Sequence, residues 1–513
     1  MSKTRLITSL ALALCGSSLA AAEPVRSEDP AQRPEPGILT GAALTNAPLL
    51  RSDDVGADRF IPVGKLLTGS GGYHCTATLI AGPMSPPPNQ PALILTAGHC
   101  VNDDMRANDV VIDQPAGNNW SYTPAYFIDT PSQHVPVAVS RTVYATMKGV
   151  DLAVLQLNAT YGQLAGRGVH PLRLARVPAT PQMAIELVHI PVVGVPIEEQ
   201  FLRHSLCRTQ TEATHLVEGY YPWFWSAAVA NDCEGVAGGT SGSPVFQLGD
   251  ATVVGVLNTT VTPGYTGCGL GRPCEPTDAG DYSREGSSYY MPVDRIARAL
   301  NDDGTLDLAQ LDPGNGVTLE REHPNWITQR NETIDGETRS ARWGLRIGES
   351  FDWIWYKTST ARSVDCANIN GYQGPYPSID QSLLPLQTPA AEGVYALCVI
   401  GQTPSGFRQP YEHATVVLRQ IDETPPTLAP QIHEQAGGDA IRVAPLFSQH
   451  ELVDLFIKYG PVAQTDCQNR EGYQRYRRNQ YVTVDNTQAW RFCAYGADYA
   501  DNAGPPTTRD YIP

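Results

Sequence analysis

The chain has 513 residues, 42 % hydrophobic and 17 % charged, with a formal net charge of −17. At roughly 150 residues per domain this predicts about three domains, each with enough apolar content to bury a core, which excludes a disordered chain. An acidic balance without clustered Lys and Arg also excludes nucleic acid or an anionic lipid surface as the expected partner.

The chain opens with Lys3 and Arg5, an apolar run from Leu6 to Leu14, and Ala20-Ala21-Ala22 before Glu23. A basic start, a short apolar centre and an Ala-x-Ala site predict an export signal over residues 1–22 and a secreted or periplasmic mature chain. A lipid-anchor reading would modify Cys15, but Leu14 stands where such a site takes a small residue. No later apolar run approaches the roughly 20 residues that a membrane span needs. Residues 23–55, with Pro24, Pro30, Pro34 and Pro36, read as a leader or propeptide.

From residue 56 to 300 the pattern changes to short apolar runs, such as Cys75–Ile80, Ala92–Leu95, Leu152–Leu157 and Thr252–Leu257, with Gly and Pro between them. Many short strands predict an all-β barrel or sandwich. Val293, Ile296, Ala297 and Leu300 fall on one face of a closing helix. Residues 301–345 are polar and turn-rich and read as a linker; Asn301-Asp302-Asp303-Gly304 suggests a calcium loop or, with its carboxylate alternation incomplete, a solvated turn.

Laying residue n on residue n + 101 exposes an internal repeat. Lys357, Asp365, Cys366, Asn368, Gly371, Tyr372 and Gln373 fall on Lys458, Asp466, Cys467, Asn469, Gly472, Tyr473 and Gln474. The expected architecture is two small immunoglobulin-like β-sandwiches, residues 346–422 and 423–513, joined at Asp422-Glu423-Thr424-Pro425-Pro426. Their aromatic residues Trp353, Trp355, Tyr372, Phe456, Tyr473 and Trp490 fit either sandwich cores or a sugar-stacking face. A surface or glycan ligand is the corresponding partner expectation.

Without Cys15, ten cysteines remain in an exported chain, and disulfides are the default. Nearest-neighbour pairing gives Cys75–Cys100, Cys207–Cys233, Cys268–Cys274, Cys366–Cys398 and Cys467–Cys493. No Cys-x-x-Cys and no His-x-x-x-His run supports the rival zinc reading, so no metal and no cofactor is expected.

Three segments carry chemistry in conjunction. Leu95 to Cys100 runs an apolar strand into His99; Val150 to Leu157 sets Asp151 at the head of another; Gly238 to Phe246 holds Ser241 between glycines. A serine nucleophile needs a neutral imidazole to take its proton, and the imidazole needs a carboxylate to fix its tautomer. Glycines around the serine permit backbone dihedrals that aim successive N–H groups at one point, as an oxyanion hole requires. The order His, Asp, Ser is one of the chain orders in which this geometry occurs.

These residues resemble the trypsin or chymotrypsin-like serine peptidase family over about residues 59–300. Gly71 to Ile80 resembles the strand before the catalytic His, Thr96 to Cys100 the Thr-Ala-Ala-His-Cys signature, and Asp151 to Leu157 the Asp-Ile-Ala-Leu-Leu strand. Gly239 to Pro244 resembles the Gly-x-Ser-Gly-Ser-Pro form of bacterial glutamyl-endopeptidase relatives. The resemblance implies two six-stranded β-barrels with the site at their interface, and a cystine 75–100 that clamps the His99 loop. It further implies Ser241 as nucleophile, His99 as general base and acid, Asp151 as orienting carboxylate, and the backbone N–H groups of Gly239 and Ser241 as oxyanion donors. Protein or peptide substrates cleaved by a monomer follow from it.

The chain also departs from that pattern. Thr240 stands where vertebrate-type relatives carry an Asp that pairs with a freed N-terminus, and no Ile-Val-Gly-Gly start precedes Cys75. Asn258 replaces a serine beside the triad Asp. The implied substrate pocket, Gly235, Val236, Leu257, Asn258, Thr259 and Thr260, holds no charge and no His, which argues against both trypsin-like and glutamyl specificity. Glu234, one position from the pocket base, would favour basic substrates if it entered the pocket. A binding protein or adhesin built on an inactive barrel is the competing expectation.

Overall fold

The computed structural model describes residues 44–513 apart from 70–72, 103, 220–221, 262–267, 269–270, 278–279, 322–325, 335, 349–350, 379–382, 438–439, 447–451 and 478–479. The export signal and residues 23–43 of the leader lie outside the described residues.

Strands β1 (Val63–Thr68), β2 (Tyr73–Ala81), β3 (Pro91–Thr96), β4 (Val110–Pro115), β5 (Ser121–Pro124), β6 (Val137–Thr146) and β7 (Leu152–Thr160) build the first half of the peptidase-like region. They run in the order β1-β5-β6-β7-β3-β2, and β2 returns antiparallel to β1, closing a six-strand barrel; β4 pairs with β6 outside the ring. Ala92 to Leu95 and Leu152 to Leu155 are almost wholly buried because their two faces meet the barrel interior and the packing against its neighbour. Each such aliphatic side chain removed from water contributes about 1.5–3 kcal/mol. A short helix, α1 (Tyr161–Ala165), starts on a capping box made by Thr160 and Gln163.

Strand β8 (Leu172–Leu174) then lies parallel to β2 on one side and to the strand Thr252–Thr260 on the other, stitching the two halves together. The second half comprises β9 (Ala184–His189), β10 (Arg203–Arg208), β11 (Thr214–Glu218), β12 (Trp223–Asn231), β13 (Pro244–Gln247), β14 (Thr252–Thr260), the hairpin β15 (Glu275–Thr277) and β16 (Gly280–Tyr282), β17 (Ser288–Pro292) and the helix α2 (Asp294–Ala299). Its order is β10-β9-β13-β14-β17-β12. A bridge between Thr209 and Asn231 joins the two ends, beside the Cys207–Cys233 disulfide.

Residues 44–55, part of the segment expected to be a leader, are built into this fold. Leu49 bridges Arg203, Leu50 enters the core, and the Arg203 guanidinium, 3 % exposed, donates to the Ala47 carbonyl at 2.9 Å. Composition alone misses a segment whose backbone is held by a buried cation elsewhere.

Residues 301–345 likewise differ from a free linker. Leu311 joins the peptidase core, and the two-residue strand Ile327–Thr328 pairs parallel with Thr415–Ile421. That strand edges a five-stranded sheet continued by Gly393–Gln402, Trp353–Thr360 and Gln373–Pro377. Strands of two to four residues are too short to show a period-2 signal, though Val317, Trp326, Ala341, Trp343 and Leu345 are buried. Beyond Pro426, a three-stranded and a four-stranded sheet share one core that includes Val443, Leu455, Ile457, Val482, Trp490 and Phe492.

Five of the seven residues common to both C-terminal segments, the Lys, Cys, Asn, Gly and Tyr, build the same local device. The Lys357 ammonium donates to the carbonyls of Asp365 and of Asn368 (2.6 Å) and lies 4.9 Å from the Tyr372 ring centre. Lys458 donates to Asn469 O (2.6 Å) and Glu471 O (3.0 Å), also 4.9 Å from the Tyr473 ring. Tyr372 and Tyr473 close each loop by donating to the carbonyls of Cys366 and Cys467. Gly371 and Gly472 turn the chain at φ 87° and 84°, a region open to glycine. All five disulfides join nearest-neighbour cysteines: Cys75–Cys100, Cys207–Cys233, Cys268–Cys274, Cys366–Cys398 and Cys467–Cys493.

Candidate active site

Strand β3 ends in a tight turn, Gly98–Cys100, and β7 begins just after Asp151, so two adjacent strands bring His99 and Asp151 face to face. Asp151 is wholly buried; its Oδ2 meets His99 Nδ1 at 2.5 Å, and its Oδ1 accepts the His99 backbone N–H at 2.9 Å. A carboxylate only accepts, so Nδ1 carries the hydrogen and Nε2 of the neutral ring is left as the basic atom. Gly98 is required here: a Cβ on it would lie 2.3 Å from the Thr146 carbonyl oxygen and 2.9 Å from Asp151 Oδ1. Burial lowers the basicity of His99, but the charge of Asp151, its hydrogen bond and the more distant Glu218 outweigh that and raise its pKa above 6.5. The Cys75–Cys100 disulfide ties this turn to β2; Cys75, His99 and Cys100 cluster, but both sulfurs are bonded to one another and do not serve as thiolate ligands.

Ser241 sits on the loop before β13. Its carbonyl accepts the Thr76 N–H at 2.8 Å. A Cβ on Gly242 (φ 84°) would lie 2.1 Å from Thr96 Oγ1 and 3.1 Å from Ala97 N, so the serine loop rests directly on the chain leading into His99. The Ser241 hydroxyl donates to the Asn258 carbonyl at 3.5 Å, and no hydrogen bond joins it to His99. Thr240 Oγ1 donates to Ala237 O and Ser243 Oγ to Thr240 O, both at 2.6 Å. These hydroxyl–carbonyl bonds order the loop where vertebrate-type relatives use an Asp and a free N-terminus.

The peptide units of this loop are turned in a definite sense. Gly238 O accepts the N–H groups of both Val192 (2.8 Å) and Val193 (3.0 Å), and a trans peptide points its N–H opposite to its carbonyl. The Gly239 N–H therefore faces away from residues 192–193. Thr240 O is likewise occupied by Ser243, which turns the Ser241 N–H the other way. Neither N–H has a partner among the described residues.

Of the expected pocket residues, Val236 and Leu257 lie in one apolar cluster with Val229, Cys233 and Tyr290, Gly235 is buried at φ 75°, and Thr259 and Thr260 are half-buried at the end of β14. Asn258 is buried, with its side-chain amide nitrogen unpartnered among the described residues. Glu234 does not enter this pocket: its exposed carboxylate accepts Asn46 Nδ2 at 2.7 Å. Two groups escaped the sequence reading. Tyr290, wholly buried, keeps a hydroxyl without a hydrogen-bond partner among the described residues. Glu218, at the end of β11 and 3 % exposed, accepts the Gly271 N–H on Oε1, while its Oε2 has no hydrogen-bond partner among the described residues. Burial pushes the Glu218 carboxyl up to about 7, against the opposing pull of the Gly271 hydrogen bond and the His99 charge.

Residues 76–256 match the trypsin-like peptidase domain family. None of the curated proteins matches the chain. Solved structures similar to it include a thermostable serine protease from an extremophilic microorganism, at 16 % identity over 46 % of this chain and 92 % of that one, TM-score 0.30. Others are protease Anisep from Arthrobacter nicotinovorans (18 %, 45 % and 90 %, 0.28) and a scabies mite inactivated protease paralogue (18 %, 46 % and 92 %, 0.31). At that level the structural likeness bears no functional weight. The family match gives the chain a trypsin-like peptidase domain, with protein substrates as its implied partners. Among the described residues no helix is long and apolar enough to cross a membrane.

Proposed function

We propose that the chain is an exported serine endopeptidase that hydrolyses peptide bonds through an acyl-enzyme. The observation that carries this reading is His99 set 2.5 Å from a wholly buried Asp151, beside a serine loop with two backbone N–H groups unpartnered among the described residues. In the reaction the Ser241 hydroxyl leaves the Asn258 carbonyl and gives its proton to His99 Nε2 as Oγ attacks the scissile carbonyl. Asp151 holds the resulting imidazolium, and the Gly239 and Ser241 N–H groups bind the oxyanion. His99 then protonates the leaving amine, and a water activated by the same imidazole releases the acid and restores Ser241. Five disulfides support an oxidising destination. An uncharged pocket wall favours uncharged side chains at the cleaved bond, and the C-terminal segments, as small immunoglobulin-like modules, are candidates for a surface or glycan ligand.

The test is labelling with an active-site-directed fluorophosphonate, with the modified residue located by peptide mass. Labelling confined to Ser241 and absent from Ser241→Ala is expected. An unlabelled wild-type chain, freed of its leader, overturns the reading in favour of a binding protein on an inactive barrel.

A further inference from the structure

Asp151 is reached from β6 through a four-residue turn, 147–150, and that turn is gripped from outside its own barrel. The Lys148 side chain is only 7 % exposed. Its ammonium lies 2.8 Å from Asp312 Oδ2, itself 12 % exposed, and donates to the His413 carbonyl at 2.7 Å. Asp312 belongs to the segment that leaves the peptidase region, and its other oxygen accepts the Gly314 N–H. His413 ends a short helical turn, Tyr411–His413, just before the strand Thr415–Ile421 in the first C-terminal segment. The turn is supported on two further sides. Gly149, at φ 73°, offers its carbonyl to the Ser226 N–H at 2.9 Å, and Met147 N donates to Asp109 O at 3.0 Å. Next to Asp109, the Asn108 amide clasps Val416 through both its backbone groups, at 2.8 and 2.9 Å.

A buried ion pair is a weak source of stability, because desolvating two charges offsets most of their attraction. What it supplies is place: an ammonium cut off from water, with one carboxylate and one carbonyl to satisfy it, has a single favourable position. Fixing Lys148 fixes the peptide three residues before Asp151. The same C-terminal segment also holds the β11–β12 hairpin, since Val217 and Phe224 lie in one apolar cluster with Trp326, Ala361, Val364 and Leu418, and a His215 ring nitrogen meets the Ala361 carbonyl at 2.8 Å.

We propose that Lys148 is a positioning residue of the candidate active site, and that residues 312–422 form part of the frame that holds Asp151 against His99. This rests on the reading of His99 and Asp151 as the base and its orienting acid. The segment is thereby a component of the catalytic unit rather than a tethered accessory.

The experiment compares full-length wild type with Lys148→Met, Asp312→Asn and Lys148→Arg, each checked for folding by circular dichroism. Turnover of a small peptide ester and the rate of fluorophosphonate labelling are followed against pH, and His99 is titrated separately by NMR of its imidazole. Loosening the turn weakens the Asp151–His99 contact. The expected result for Lys148→Met and Asp312→Asn is a 10- to 100-fold fall in kcat with KM little changed, and an acid limb moved to lower pH. The His99 titration moves down with it, and Lys148→Arg restores part of both. Wild-type values of kcat and of the His99 titration in folded Lys148→Met and Asp312→Asn overturn the inference. Because the NMR titration needs no turnover, a wild type that fails to label refutes the peptidase reading while the positioning of His99 by this contact is still decided.

Discussion

The two C-terminal segments share a cystine, a lysine and a closing tyrosine, yet they stand in different relations to the rest of the chain. Residues 317–422 share an apolar cluster with Val217 and Phe224 of the peptidase domain and meet it through Lys148, Asn108 and His215. Residues beyond Pro426 pack their own cluster, Val443 to Phe492, drawing no member from elsewhere, and reach back through Asn502 to the Asp422 carbonyl at 3.0 Å. The shared residues therefore encode a loop, and the docking surface of the first segment is encoded separately, by residues such as Trp326 that have no counterpart in the seven identities. Similarity between the segments is no guide to which of them the active site needs.

The largest expected contrast is between truncations. Ending the chain before residue 317 strips the cover from Val217 and Phe224 and takes from Lys148 the His413 carbonyl, leaving it Asp312 alone; the expected outcome is loss of soluble, labelled peptidase. Ending it after Pro426 should leave fluorophosphonate labelling within about two-fold of wild type. Equal loss in both would erase the distinction.

Cavity mutants give a smaller version of the same contrast. Trp326→Ala and Trp490→Ala each empty a buried site, 7 % and 4 % exposed, and each should cost about 3–5 kcal/mol in urea unfolding of its own segment. Only Trp326→Ala should also slow labelling of Ser241. The lysines grade the comparison further: Lys357, 8 % exposed, loses part-buried hydrogen bonds when changed to Met and should cost about 1–3 kcal/mol. The more exposed Lys458 should cost about 1 kcal/mol or less, because water reaches its carbonyls.

The smallest effect concerns Glu218, on the hairpin beneath the first segment. Its folded pKa of about 7 lies above the usual carboxylate value near 4.5, so the native state holds its proton more tightly than the unfolded chain. The stability contributed by that protonated group is full below about pH 4.5 and lost as pH rises through 7. Glu218→Gln should therefore leave Tm unchanged at pH 4.5 and raise it by a few degrees at pH 8. With the Glu218 charge gone, His99 also loses one source of its raised pKa, and the acid limb of activity should shift slightly to lower pH. A Tm raised equally at both pH values would show that burial of the charge is not the cause.

The barrel strands were legible because Leu93, Ile94, Val154 and Leu155 stand in uninterrupted apolar runs that only strands buried on both faces sustain. His99 and Ser241 stand out in the sequence because glycines adjoin them; Gly98 and Gly242 occupy positions where any side chain would collide. Glu218 was not, since an acid closing a short strand carries no local mark of burial, and its environment comes from a loop some fifty residues away, at Gly271. Lys148 was equally silent: its partners lie far along the chain, Asp312 in a stretch whose polar composition reads as linker and His413 in the first C-terminal segment. The part of the site hidden from sequence is thus the part held by long-range pairing.

Each lysine loop also bears on how the chain tolerates its surroundings. Carbonyl-lined loops in extracellular modules often close on a dissolved calcium ion bound at roughly 10⁻⁴–10⁻³ M, and they open when the ion is diluted or chelated. In residues 365–370 and 466–471 the carbonyls close instead on a cation carried by a neighbouring strand of the same sheet, Lys357 or Lys458. A tethered cation has a local concentration that dilution does not change. Both loops should keep their shape in calcium-free medium and in the presence of chelators, with acetylation of the lysine as the chemistry that releases them.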